Sequence, residues 1–156
     1  MKKLNSLNQV GEFHRTFGAP VLDDPQIPSE DRCGLRVSLL QEELDELSDS
    51  ITKRDIVGIA DALCDLQYVL SGAVLEFGLG DKFPELFDEV QRSNMSKSCS
   101  DEEEAQLTMD YYRLKDGTES YRKSSDGRWI VYRKSDDKVL KSVRYSPADL
   151  KSIIEK

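Results

Sequence analysis

The sequence predicts a mainly α-helical protein, a bundle of helices with a small β-meander at its C-terminal end. Two observations carry that expectation. Through about the first 116 residues apolar side chains recur at three-and-four spacing. After residue 117 the period changes to short runs of aromatic and β-branched residues set between polar turns. The expected division is a helical domain over 1–116 and a β-rich appendage over 117–156 that ends in a short helix. A chain of 156 residues is large enough for one real core and too short for a second independent domain of ordinary size.

The first helix is expected over 4–17, where Leu7, Val10, Phe13, His14 and Phe17 share one face and Gly18 follows as a stop. His14 is the sole histidine and reads as a packing or surface residue; with no second histidine and no Ser or Cys partner, a nucleophilic triad has no basis. Pro20, Pro25 and Pro28 make 19–28 a loop crossing an end of the bundle. Ser29 is the expected cap of a second helix running to about 50, with Glu30 and Asp31 favoured in its first turn by the helix dipole. Leu35, Leu39, Leu40, Leu44 and Leu47 form its apolar stripe. A third helix starts at 53–55 and ends at the glycines of 78–80. Gly72 lies inside it and weakens it by about 1 kcal/mol relative to alanine, which points to a close helix contact or ligand approach.

Pro84 opens a fourth helix with Leu86, Phe87 and Val90 inward, and the chain leaves that helix over 92–97. Ser100 with Glu103 reads as a capping box for a fifth helix reaching about 115, and the acids of 101–104 as its solvated start. Tyr121, Trp129, Val131, Tyr132, Val139, Leu140, Val143 and Tyr145 then suit strands, with turns at 124–127 and 135–138, before Pro147 begins a last helix over 148–155. Lys123, Arg128, Arg133, Lys134, Lys138, Lys141 and Arg144 make this tail locally basic, as a solvated β-surface, a phosphate-contacting flap or a dimer arm.

The chemistry concentrates in residues 39–71. On a helix turning about 100° per residue, Glu43 and Glu46 project about 60° apart and Glu42 and Glu46 about 40° apart, to one side. Asp61 and Asp65 repeat the arrangement on the next helix among Ile, Ala, Leu and Val. An ionised carboxylate in such surroundings needs a cation or hydrogen-bond donor, because uncompensated burial costs several kcal/mol. Few basic residues are near in sequence. If the helices pack antiparallel across the turn at 50–55, the acids converge on an oxygen-rich site suited to Mg²⁺, with Mn²⁺ as the alternative. Taken alone, the first cluster is also what a solvated helix face looks like.

A net charge of −8 and a pI near 4.8 exclude a general binder of nucleic-acid polymers or anionic membranes and leave a small phosphorylated ligand, provided a metal supplies positive charge. No apolar run near 18 residues and no leader is read; Met1-Lys2-Lys3 is followed at once by polar residues, and a soluble protein is expected. Cys33, Cys64 and Cys99 lack zinc or disulfide spacing and read as reduced thiols in a cytoplasm, Cys64 as a small core residue.

The run EELDEL at 42–47, the 14 residues between Glu46 and Asp61, and DALCDLQYVLSG at 61–72 resemble the MazG and phosphoribosyl-ATP pyrophosphohydrolase-like superfamily of all-α nucleotide pyrophosphohydrolases. QRSNMSK at 91–97 is similar to a segment after the fourth helix in one branch. The Glu-Glu-x-x-Glu half of the signature is present; in the second half the Glu partner is replaced by Gly58 if Asp61 is the family aspartate, or by Ala62 if Asp65 is. The resemblance implies an all-α NTP pyrophosphohydrolase-like bundle cleaving a (d)NTP-like nucleotide to monophosphate and pyrophosphate. It implies metal ligands at Glu43, Glu46, Asp61 and Asp65, catalytic roles for Glu42 and Glu43 (Glu42 as base or further ligand), and substrate contacts from Arg92, Asn94 and Lys97. A homodimer or higher homo-oligomer joined through the helices is implied too. Phosphoribosyl-ATP is the alternative substrate, and a non-catalytic helical interaction module the alternative of another class.

Overall fold

The computed structural model describes residues 4–156; Met1, Lys2 and Lys3, read above as showing no leader, lie outside the described residues. The described residues form six helices and one two-stranded antiparallel hairpin, a mainly α protein as the sequence predicts. They fall into two compact units, Met1–Phe83 and Pro84–Lys156. This is a different cut from the one made at 116/117: the hydrophobic period changes at the latter, the packing at the former.

In the first unit, α1 (Ser6–Phe17) and α2 (Glu30–Lys53) both pack on α3 (Ile56–Glu76). Gly18 takes a left-handed conformation after α1, its amide donating to the His14 carbonyl. Helix α2 runs three residues past the expected end near 50, because Arg54 rather than an earlier residue adopts the left-handed stop. Asp55 then caps α3, accepting from the Val57 amide at 3.0 Å. This two-residue link makes α2 and α3 an antiparallel pair whose register is fixed at both ends. At one end Arg32 bonds Glu76 and a Cβ on Gly72 would lie 2.7 Å from Arg36 Nη1; at the other a Cβ on Gly58 would lie 2.7 Å from Ser50 Oγ. Midway between these contacts the same register sets Glu43 opposite Asp65.

The loop of 19–28 is tied to the end of α3 by Leu22 N to Leu75 O at 3.0 Å and Gln26 N to Phe77 O at 3.1 Å. Gly78, at φ +68°, is required there: a Cβ would fall 1.9 Å from the Asp24 carbonyl oxygen. Three expectations are corrected in this unit. The α2 stripe is only partly covered, with Leu39, Leu40 and Leu47 half-buried while Leu35 and Leu44 are exposed. Cys64 is exposed and not a core residue, since with Leu63 it lines an open groove beside Ser6, Gln9 and Val10 of α1. Helix α3 is long and apolar enough, by length and composition, to cross a membrane; averaged over the helix, its Leu, Val, Ile and Ala outweigh Asp61 and Asp65.

The second unit holds α4 (Phe83–Met95), α5 (Glu102–Asp116), β1 (Ser120–Ser125), β2 (Arg128–Arg133) and α6 (Leu150–Ile154), α4 beginning one residue before the boundary. Its core is Cys99, Ala105, Val131 and Leu140, flanked by Met109, Tyr112 and Trp129. The strands pair from Ser120↔Arg133 to Ser125↔Arg128 through Asp126-Gly127, both at positive φ, the two-residue turn whose twist matches a hairpin. The expected third strand shrinks to an isolated Tyr132↔Val139 bridge and the Leu140 N to Val131 O bond, after which the chain turns away to bond Lys97 through the Ser142 amide. Helix α4 continues to Met95, so Arg92 and Asn94 are helical and only Ser96 and Lys97 follow it. Asp101, not Ser100, caps α5 by accepting from the Glu104 amide at 2.8 Å. Glu104, expected in a solvated run, is buried and accepts from the Ser100 amide, the Ser100 hydroxyl and Ser142 Oγ. The last helix is five residues long rather than 148–155, starting only where Asp149 caps it.

Candidate functional site

Glu43 is the centre of the acidic stretch. It sits on the face of α2 turned toward α3, half-buried like Asp65 opposite, while Glu42, Glu46 and Asp61 are exposed around them. Burial pushes the Glu43 carboxyl above the ordinary carboxylate range, and Asp65, Glu46, Glu42 and Asp61 push it further, in that order. Glu43 takes part in no ion pair among the described residues. The structure therefore draws the acids of both helices into one electrostatic field centred on Glu43. Asp45 belongs elsewhere, taking a 2.7 Å bond from Gln41 on the same helix.

That field suits a divalent cation and oxygen ligands. As the side chains stand, no group of three or more His, Cys, Asp or Glu among the described residues is close enough to hold an ion. Holding one would require the exposed carboxylates to turn toward Glu43 and Asp65. The two positions where the resemblance expects a further Glu are closed for distinct reasons. Gly58 lies against Ser50 Oγ and, at 3.0 Å from its added Cβ, Asp55 Oδ2, the cap of α3; Ala62 is buried in the helix packing. Asp61 and Asp65 are thus the α3 acids near Glu43.

At the far end of the same helix pair stands a cluster that the sequence reading missed. Glu76 is 1% exposed and takes bonds from Arg32, at 3.1 Å from its Nε and again from Nη2, and from Arg36 Nη2. Burial alone would raise its pKa, but the bonds and charges of Arg36 and Arg32 prevail and hold it below the ordinary value. His14 Nδ1 donates to the Pro20 carbonyl at 2.8 Å, so its Nε2 presents a lone pair to Arg36 Nη2 at 3.3 Å. Gly72 is explained here: an added Cβ would come within 2.9 Å of His14 Nε2 as well as meeting Arg36. The signal in the sequence was an acid closing an apolar helix, with two arginines four apart on the preceding one.

The expected substrate residues belong to the second unit. Arg92 is committed to Glu89 by two bonds of 2.7 and 2.8 Å and donates to the Pro147 carbonyl at 3.0 Å; its guanidinium and the Asp149 amide hold the Glu89 carboxyl at about 2. Asn94 is exposed and accepts from Lys97 Nζ at 2.7 Å, so these two side chains are brought together.

The sequence profile of phosphoribosyl-ATP pyrophosphohydrolase matches residues 10–94, which take in nearly all of α1 through α4. The chain belongs to that family. Membership in the phosphoribosyl-ATP pyrophosphohydrolase family, within the MazG-like superfamily, makes it a nucleotide pyrophosphohydrolase at the level of the family, with a small-molecule nucleotide as substrate class. Both acid clusters lie inside the match, and Lys97 and the rest of the second unit's tail lie beyond it. The chain is also similar to the uncharacterized protein L479 of Acanthamoeba polyphaga mimivirus, 24% identical in a match covering 99% of this chain and 97% of the relative.

Proposed function

We propose that the chain hydrolyses a (d)NTP-like nucleoside triphosphate to monophosphate and pyrophosphate, and does so with Mg²⁺, for which Mn²⁺ can substitute. The observation that carries this reading is Glu43, half-buried between α2 and α3, its carboxyl raised first by burial and then by Asp65, Glu46, Glu42 and Asp61, with no ion pair among the described residues. Glu43, Glu46, Asp61 and Asp65 would hold the ion. When bound, a divalent ion neutralises phosphate charge and lowers the pKa of a water. Glu42, exposed beside Glu43, is the candidate base for the attacking water's proton. Asn94 and Lys97 are the proposed nucleotide contacts, and Arg92, bound to Glu89, would hold the chain at Pro147 against α4. Phosphoribosyl-ATP is a second reading of the substrate, favoured by the family description itself.

We also propose a homodimer or higher homo-oligomer through α2 and α3. Ile51, Ile56, Val57, Leu44, Leu63 and Leu70 are all exposed on these two helices, more apolar surface than scattered residues leave on a monomer. Light scattering at micromolar concentration should give at least twice the chain mass, and an active monomer would contradict the assembly.

The function is tested by pyrophosphate release from a panel of nucleoside triphosphates and phosphoribosyl-ATP, with Mg²⁺ and with chelator. Turnover should require Mg²⁺, and Glu46→Gln should lower it by about a hundredfold or more while the helices stay folded. No turnover on any nucleotide in Mg²⁺ would contradict the reading and favour a helical interaction module.

A further inference from the structure

Beyond the family match, the second unit gathers around Lys97, already a proposed nucleotide contact, two further donors that the proposed reaction has not used. The segment after the hairpin is fastened to the end of α4: the Ser142 amide donates to the Lys97 carbonyl at 3.1 Å, and the Ser146 amide to Ser96 Oγ at 3.0 Å. This brings Lys141 and Tyr145 to Lys97. Lys141 Nζ stands 4.3 Å from the centroid of the Tyr145 ring. Ser93, 5% exposed on α4, donates its hydroxyl to the Tyr145 oxygen at 3.2 Å. Because the phenol oxygen accepts that bond, its own proton remains available to donate outward. Neither lysine takes part in any ion pair among the described residues.

We propose that Lys97, Lys141 and Tyr145 form a phosphate-binding cradle, in which two ammonium groups and one phenol donate to the oxygens of a phosphate chain. Three donors without a paired carboxylate suit a polyanion that accepts from several directions, and lysine binds phosphate as a point charge where arginine would select a planar carboxylate. The field of the two lysines already acts on the site: the Tyr145 phenol lies below its ordinary range through the Ser93 bond and the charges of Lys141 and Lys97. Ser93 is the positioning residue, since it aims the phenol without reaching the anion. Lys97, Lys141 and Tyr145 all lie outside residues 10–94, beyond the family match. As a subsite for the phosphates of a nucleotide or for released pyrophosphate, it rests on the reading given above.

Calorimetric titration of the full chain with inorganic pyrophosphate, in chelator so that no divalent ion takes part, tests the cradle directly. The unaltered chain should bind; Lys141→Gln should weaken binding by about tenfold with its melting temperature unchanged, and Tyr145→Phe by about threefold with the chain still folded. Lys123→Gln removes the same charge from β1, and neither it nor Glu46→Gln should alter the affinity. No binding by the unaltered chain, or equal weakening by Lys141→Gln and Lys123→Gln, would overturn the cradle, the second showing general charge attraction only. A raised KM for nucleotide in Lys141→Gln at constant kcat assigns the cradle to the substrate, and weaker product inhibition by pyrophosphate at constant KM assigns it to the product. Turnover with pyrophosphate affinity unmoved by Lys141→Gln and Tyr145→Phe removes the cradle and leaves the hydrolase. Specific pyrophosphate binding without turnover of any nucleotide does the reverse.

Discussion

Glu76 and Glu43 stand on the same antiparallel helix pair, each on the side of its helix turned toward the other, and their carboxyl groups are pushed in opposite directions. Glu76 is completely enclosed, yet Arg32 and Arg36 supply enough donors and charge to keep it ionised. Glu43 is less buried, and burial followed by Asp65, Glu46, Glu42 and Asp61 pushes it up. The difference separates two uses of a carboxylate in a helical core. At one end the protein answers the charge itself and gains a fixed register between α2 and α3. In the middle Glu43 has no ion pair among the described residues, which is the setting the proposed cation would use. A cluster of acids becomes a candidate site through the absence of internal partners, not through the number of acids.

The largest expected effect is at the satisfied end. Glu76→Gln strands two arginines, one of them with its Nε already buried without a partner, and should destabilise the fold by about 3–5 kcal/mol in urea unfolding. A loss under 1 kcal/mol would make the cluster a minor contributor. Next comes Gly72→Ala, whose new methyl would press on Arg36 and His14; the displaced network should outweigh the gain in helix propensity of about 1 kcal/mol and leave a net loss of about 1–2 kcal/mol. A stabilised variant would show that the cluster yields freely. The smallest effect has the opposite sign: Glu43→Gln should stabilise the chain in chelator by about 0.5 kcal/mol at neutral pH, because it relieves repulsion within the acid group.

The pH dependence sharpens the same contrast. The Glu76 pKa is lowered on folding, so its contribution is present above the ordinary carboxylate value and is lost as pH falls through the folded value. The Glu43 pKa is raised on folding, so its contribution is present below the ordinary value and is lost as pH rises through the folded one. In unfolding curves taken from acid to neutral pH without divalent ions, Glu76→Gln should flatten the acid limb and Glu43→Gln the decline on the neutral side.

Both acid clusters were legible in the sequence because a carboxylate is conspicuous among Ile, Ala and Leu, and helical period alone sets Glu43 and Glu46 on one side. The element order was legible too, where glycine and proline mark the ends. The Glu76 network was not, since Arg32 and Glu76 are 44 residues apart and only the register across Arg54-Asp55 brings them together. Exposed Cys64 was misread because an apolar helix is indistinguishable by composition from one buried on all sides. The β-type residues after 134 were read as a strand, but in the chain the Ser142 amide goes to Lys97 instead of a ladder. Ser93 and Tyr145 meet only through that detour, which is why the cradle has no sequence signature.

Carboxyl-resonance titration of Glu43 by NMR, with and without Mg²⁺ and with Glu76 as internal reference, tests the acid site most directly. Expected is a Glu43 pKa above the ordinary carboxylate range in chelator that falls below that range in Mg²⁺, while Glu76 stays low in both. An unshifted Glu43 in chelator, or a raised value that saturating Mg²⁺ does not move, would contradict the assignment of the acid group as a cation site.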